Sequence, residues 1–94
     1  MKLNGIVWLR NVVDKLAWKH NITISEVEEA LKTATRFRFI EEGDVEGEPL
    51  YAAMGQTTGG RFLLVFFVRK TSGEALIVSA RDATKKERRV YGKG

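Results

Sequence analysis

The run Phe62-Leu63-Leu64-Val65-Phe66-Phe67-Val68 carries no polar residue on either face of an extended chain. Side chains alternate across a strand, so a run of this kind needs apolar cover on both sides. At seven residues it is too short to cross a bilayer as a helix. We read Arg61 to Lys70 as the central strand of a sheet that has helices packed on it. Thr71-Ser72-Gly73-Glu74 then turns the chain into a further strand, Ala75 to Arg81.

The remaining elements follow from period and punctuation. Leu9 to His20 reads as a helix, with Val12, Val13, Leu16 and Trp8 candidates for one face and Asn21 as a left-handed stop. Thr23 and Glu26 have the spacing of a capping box, with Ile22 and Val27 at the staple positions. Val27, Leu31 and Ala34 continue that helix's apolar stripe. The period then becomes alternating. Arg36-Phe37-Arg38-Phe39 reads as a strand with its phenylalanines inward and its arginines outward. Glu41 to Glu48 is an acidic loop, Leu50 to Gln56 a strand, and Thr57-Thr58-Gly59-Gly60 a turn. Asp82 or Thr84 starts a closing helix, Thr84 forming a second capping box with Glu87. The predicted class is α+β: two N-terminal helices, a four-stranded antiparallel meander and a C-terminal helix, in one domain over 1–94.

Composition bounds what such a domain does. A hydrophobic fraction of 44% with 30% charged residues suits a folded domain. No signal peptide or membrane-length run is legible, so the expected location is the cytoplasm, with no membrane partner. The absence of cysteine and the single histidine exclude thiolate and histidine-rich metal sites. Glu41, Glu42, Asp44, Glu46 and Glu48 lack the ligand alternation of a calcium loop and read as a solvated hairpin loop. No nucleotide-binding glycine pattern or serine elbow is present, and no cofactor or metal is expected. Residues 1–80 balance ten Lys/Arg against ten Asp/Glu, so the whole net charge of +4 arises in 81–94. Localised positive charge of this kind attracts a phosphate backbone or an acidic partner, and equally suits a solvated terminal helix.

Register places the conspicuous arginines. If residues 71–74 form the turn, Arg81 faces Leu64, and Arg61 lies about 10 Å further out along the same end of the sheet. Two guanidiniums there suit a phosphodiester clamp, because the planar fork makes bidentate contacts and keeps its charge; each also suits a strand's exposed end. His20 is the natural acid–base candidate, and a helix's last turn is also where a histidine meets a favourable dipole. Glu87, Arg88 and Tyr91 share one face of the last helix, where Glu87 also serves as a cap and Tyr91 as a core anchor.

A set of short pieces carries a resemblance: Lys19-His20, Gly47-Glu48, Ala53-Met54-Gly55-Gln56-Thr57, Gly60-Arg61, Ser79-Ala80-Arg81-Asp82, Glu87-Arg88-Arg89 and Tyr91. In this order and spacing the chain resembles the BrnT family of bacterial type II toxins, from about Trp8 to Tyr91. The resemblance implies a RelE-like fold and a metal-independent endoribonuclease that inhibits translation. It implies as partners RNA and a BrnA-like ribbon-helix-helix antitoxin, with operator DNA bound only through that antitoxin. Arg61 and Arg81 would stabilise charge on the scissile phosphate. His20, Glu48, Glu87 or Tyr91 would assist proton transfer, and Lys19, Lys85, Lys86 and Arg88 would draw in the RNA backbone. The family usually has glycine where Asn21 stands, an acidic residue where Leu9 stands, and an arginine shortly after Glu48, where this chain has Pro49 and Leu50. Alternatives are a non-catalytic module of the same fold that binds RNA or protein, and a co-repressor acting with an antitoxin.

Overall fold

The structure, a computed structural model, describes residues 1–92. Its elements are β1 (Ile6–Val7), α1 (Arg10–His20), α2 (Ile24–Thr33), β2 (Phe37–Glu41), β3 (Leu50–Gln56), β4 (Phe62–Arg69), β5 (Ala75–Asp82) and α3 (Lys85–Gly92). The sheet order is β1-β5-β4-β3-β2. No helix among the described residues is long and apolar enough to cross a membrane.

The four expected strands form the antiparallel meander, but the sheet has five strands and one parallel pair. The fifth is β1, whose Ile6 and Val7 pair with Ala75 and Leu76. Two residues carry no readable period, and the backbone makes this strand. The Asn4 amide donates to the Gly73 carbonyl at 2.9 Å, and the Ala75 amide donates to Gly5 at 2.9 Å. The Asn4 side chain donates to the Ser72 carbonyl at 2.8 Å. Gly73 sits at φ 88°, where a Cβ would be both strained and in collision with Asn4.

Helix α1 begins one residue later than expected, with Leu9 as its cap. It ends at Asn21, left-handed at φ 54°, whose amide donates to Ala17 while that of Ile22 donates to Leu16. The capping box of α2 is complete. Glu26 N–H donates to Thr23 Oγ1 at 3.2 Å, and Thr23 N–H donates to Glu26 Oε1 at 3.0 Å. The apolar stripe of α2 buries Val27, Ala30 and Leu31.

Strand β4 is central, and its two-sided run separates two cores. Leu63, Val65 and Phe67 face α1 and α2, packing with Leu16, Ile22 and Val27. Leu64 faces α3 with Ala52, Met54 and Tyr91, and Phe62 and Phe66 pack against that cluster. In β2 the phenylalanines share one face, but only Phe37 is covered. Its ring meets Phe67 edge-on at 6.1 Å, whereas Phe39 touches Tyr51 and stays 56% exposed. β2 is the outermost strand, and α2 lies over β3 and β4. Arg38, on the other face, lies over the Tyr91 ring at 5.6 Å.

Helix α2 sits directly on β3 at Gly55, where a Cβ would collide with the Ala30 carbonyl. Thr33 locks the contact, its hydroxyl donating to the Gln56 carbonyl and accepting from the Gln56 amide. Gly55→Ala is therefore expected to lower the unfolding free energy by about 1–3 kcal/mol in urea titration. Gly59→Ala, whose Cβ would meet only Thr57 Oγ1 at 3.9 Å, is expected to stay within about 0.5 kcal/mol of wild type. Equal stability of the two variants would contradict this packing.

Candidate functional site

At one end of the sheet, β3 turns into β4, β5 finishes, α1 stops and both α2 and α3 begin. Arg61 stands at the mouth of β4, just after the Thr57–Gly60 turn. The turn is closed by Thr57 N–H donating to the Arg61 carbonyl at 2.8 Å and by Arg61 N–H donating to Thr57 Oγ1 at 3.0 Å. The Arg61 guanidinium points to the α1/α2 face and is heavily engaged. Nε donates to Asp82 Oδ1 at 2.6 Å and Nη2 to Oδ2 at 3.0 Å. Nη1 donates to the Asn21 carbonyl at 2.8 Å, and Nη2 to the His20 carbonyl at 2.9 Å. Glu26 of the capping box adds a longer contact at 3.4 Å. A cation at the last carbonyls of α1 also meets the negative end of that helix. The Arg61 pKa is raised, chiefly by its hydrogen bonds to Asp82, whose own carboxyl is lowered in return.

Arg81 faces Leu64 in the adjacent strand, as the hairpin count predicted. Leu64 belongs to the α3 face, so Arg81 and Arg61 lie near one end of the sheet but on opposite faces. Arg81 forks onto Glu87, with Nη1 to Oε1 at 2.8 Å and Nη2 to Oε2 at 2.7 Å. Its guanidinium also lies 5.8 Å from the centre of the Phe66 ring. The Arg81 side chain is 41% exposed, the more open of the two arginines. Thr84, and not Asp82, starts α3. Its amide donates to Glu87 at 2.9 Å, and Glu87 N–H donates to Thr84 Oγ1 at 3.1 Å. Glu87 thus holds Arg81 and caps the helix at once. These bonds, the Arg81 fork first, bring its carboxyl down from 4.5 to about 2.

The other candidates divide. His20 gives its carbonyl to Arg61, and the residue lines a small cavity of about 180 Å³ with Lys15, Val78 and Ser79. It is near enough to Asp82 for its positive form to favour that carboxylate. Because β1 covers only Ala75 and Leu76, the rest of β5 forms an outer edge; His20 borders it at the end where Arg81 also sits. Tyr91 is buried as an anchor for α3. Glu48 joins none of these. It is buried at the far end of β4, accepting from Lys70 Nζ at 2.8 Å and from Thr71 N–H at 3.1 Å. Those bonds lower its pKa, Lys70 foremost. Strand rise over the six residues from Leu64 to Lys70 puts it roughly 20 Å from Arg81. Lys19 is exposed on α1, Lys85 and Lys86 are exposed on α3, and Arg88 lies over the Phe62 ring at 5.0 Å.

Sequence reasoning missed the two carboxylates that hold Arg61. Register contained the signal for Asp82, which faces Leu63 and so lies on the α1/α2 face. Glu26 had already been given a task as a cap. Among the described residues, no three His, Asp or Glu side chains converge as a metal centre requires.

Residues 10–87 match the family model for the ribonuclease toxin BrnT of type II toxin–antitoxin systems. No curated protein matches the chain. Among solved structures it is similar to the 1.1 Å crystal structure of the Brucella abortus ribonuclease toxin BrnT, at 20% identity and a TM-score of 0.64. The alignment covers 89% of this chain and 100% of that one. At that identity the likeness concerns the fold.

The depressed carboxyl pKa values set an acid response. A group whose pKa is lower in the folded state contributes fully above its unfolded value and loses that contribution as pH falls. For Glu87 the window runs from 4.5 down to about 2. Wild type is expected to lose on the order of 2–3 kcal/mol from this group across that window, allowing for its partial exposure. Glu87→Gln should start less stable and fall less steeply between pH 4.5 and 2, with the residual slope due to Asp82 and Glu48. Parallel denaturation curves for the two proteins across that range would contradict the assignment.

Proposed function

The chain belongs to the BrnT family of ribonuclease toxins of type II toxin–antitoxin systems, and from that premise we propose that it is a metal-independent endoribonuclease acting through the Arg81 end of the sheet. The observation that carries the reading is Arg81 itself. It is a part-exposed guanidinium, held by one carboxylate, beside the helix that contributes most of the C-terminal positive charge. RNA cleavage without a metal proceeds by attack of a 2′-hydroxyl oxygen on the adjacent phosphorus. The hydroxyl proton leaves, the bond to the 5′-oxygen breaks, and that oxygen takes up a proton. Negative charge grows on the non-bridging oxygens, where a planar guanidinium makes two charge-assisted bonds.

In this reading the phosphate competes with Glu87 for the Arg81 fork. Glu87, held at about 2, is ionised at neutral pH and too weak a base to take the 2′-proton efficiently. It serves instead as the counter-charge that keeps Arg81 aimed. His20, at the bordering edge of β5, is the proton-transfer group, since imidazole accepts and releases protons near neutrality. Arg61 acts by position. With its donors engaged at His20, Asn21, Glu26 and Asp82, it holds the end of α1 that carries His20. Tyr91 anchors α3, and Glu48 supports the remote end. Pro49 and Leu50 lie at that remote end too, so the arginine usual in the family there is not part of the Arg81 surface. Lys19, Lys85, Lys86 and Arg88 attract the RNA backbone. A ribbon-helix-helix antitoxin of the BrnA kind is the partner that restrains cleavage, and it alone carries the pair to operator DNA. Inhibited translation in the cytoplasm is the consequence.

One observation favours a non-catalytic, RNA- or protein-binding reading: both arginine forks already hold carboxylates. End-labelled RNA incubated with purified protein in excess chelator separates the two. Cleavage is expected with wild type and is expected to fall about 100-fold or more in Arg81→Ala, compared at equal folded content because losing the Glu87 fork costs about 1–2 kcal/mol of stability. Arg61→Ala is expected to lose about 2–4 kcal/mol of stability. Loss of cleavage in chelator would overturn metal independence. RNA retention without cleavage by wild type or variant would favour the non-catalytic reading.

A further inference from the structure

A second cationic feature lies on the flank of α3 away from Glu87. Lys85, Arg88 and Arg89 follow the i, i+3, i+4 spacing that places side chains on one helix flank. With Phe62 and Met54 of the sheet they line a cavity of about 500 Å³, within the usual range for a small-molecule site. Its character differs from that of the Arg61 and Arg81 sites. Among the described residues no carboxylate pairs with Lys85, Arg88 or Arg89. Arg88 instead spreads over the Phe62 ring, its guanidinium carbon 5.0 Å from the ring centre. Phe62 and Arg88 are both only half-buried.

We propose that this cavity is a nucleobase subsite: a base of single-stranded RNA stacks against Phe62 and Arg88, while Lys85 and Arg89 hold its phosphate. The ligand class follows from the lining. A ring and a guanidinium plane offer π-faces to a flat partner. The thioether of Met54 adds a soft apolar wall, and the unpaired cations ask for negative charge beside that flat group. A nucleotide combines those properties, and stacking accepts any base. Phe62 and Arg81 share one face of the sheet, since Arg81 faces Leu64 and Phe62 is the next residue on that side. The first turn of α3 lies between the subsite and Arg81. An RNA strand crossing the start of α3 therefore meets both. The inference rests on the RNA reading above and adds to it a place where a base next to the cut is gripped.

The test compares two fluorescein-labelled 2′-O-methyl hexanucleotides, which resist cleavage, one with bases and one abasic, by anisotropy over a range of salt. Wild type is expected to bind the base-bearing strand about tenfold more tightly. Arg88→Lys keeps the charge and loses the plane, and Phe62→Leu keeps an apolar side chain and loses the ring. Each is expected to cut the preference below about threefold without changing the salt slope. Lys85→Ala and Arg89→Ala are expected to keep the preference and reduce the slope by about 0.7 each. Melting curves confirm that the variants fold, and Arg88→Lys decides the matter if Phe62→Leu does not fold. Equal binding of both strands by wild type, or a preference that survives Arg88→Lys, overturns the subsite while leaving the RNA reading intact. Failure of wild type to bind either strand at low salt sinks both.

Discussion

Arg61 is the residue on which the arrangement of this end of the molecule depends. One guanidinium joins the start of β4 to the end of β5 through Asp82, to the last carbonyls of α1, and to the capping carboxylate of α2. Two distant parts of the chain, the α1–α2 pair and the β4–β5 hairpin, are thereby fixed to one planar group. A lysine has the charge but not the fork. The clasp explains why α1 and α2 can meet at a sharp left-handed corner at Asn21 and still hold a set orientation to the sheet. It also commits the guanidinium's donors to groups of the protein itself.

The two-sided strand β4 divides the labour. On one face, α1 and α2 close over Leu63, Val65 and Phe67, and the interior is apolar and fully covered. On the other, α3 spans eight residues among those described, covers Leu64 and Met54, and leaves the rims of its own flanks open. Arg81 with Glu87 occupies one rim; Lys85, Arg88 and Arg89 with Phe62 occupy the other. Both rims carry positive charge from the C-terminal stretch. A helix this short has little stability of its own. Its Thr84–Glu87 cap, the buried Tyr91 and the Arg36 bond to the Val90 carbonyl at 3.0 Å hold it in place.

Much of this was legible in the residues. Thr23 and Glu26 announced the start of α2 because a capping box is a local device, and Leu50 to Gln56 had the bounds later found for β3. Arg81 faces Leu64 as counted, but through two offsetting differences: near the turn Ala75 faces Arg69, one position off the count, and the irregularity between Phe66 and Phe67 restores the counted register before Arg81. What escaped was non-local. Strand β1 is made by backbone bonds at Asn4 and Gly5, which have no side-chain pattern. Phe39 alternates correctly yet is exposed, because cover depends on where α2 lies. Parity separates the two arginines: Leu64 lies an odd number of positions from Arg61, so Arg81, which faces Leu64, points to the opposite face. Glu48, grouped with them by sequence similarity, pairs with Lys70 at the far end, a distance that only the strand length reveals.

The claim that Arg81 receives the RNA phosphate while Arg61 holds the fold is tested most directly by following both guanidiniums at once. The measurement is the Nε–H signals of ¹⁵N-labelled protein during titration with an uncleavable 2′-O-methyl RNA. The account expects the Arg81 signal to shift with RNA, while that of Arg61 stays in place and remains protected from solvent exchange. A shift of the Arg61 signal with Arg81 unmoved would contradict it.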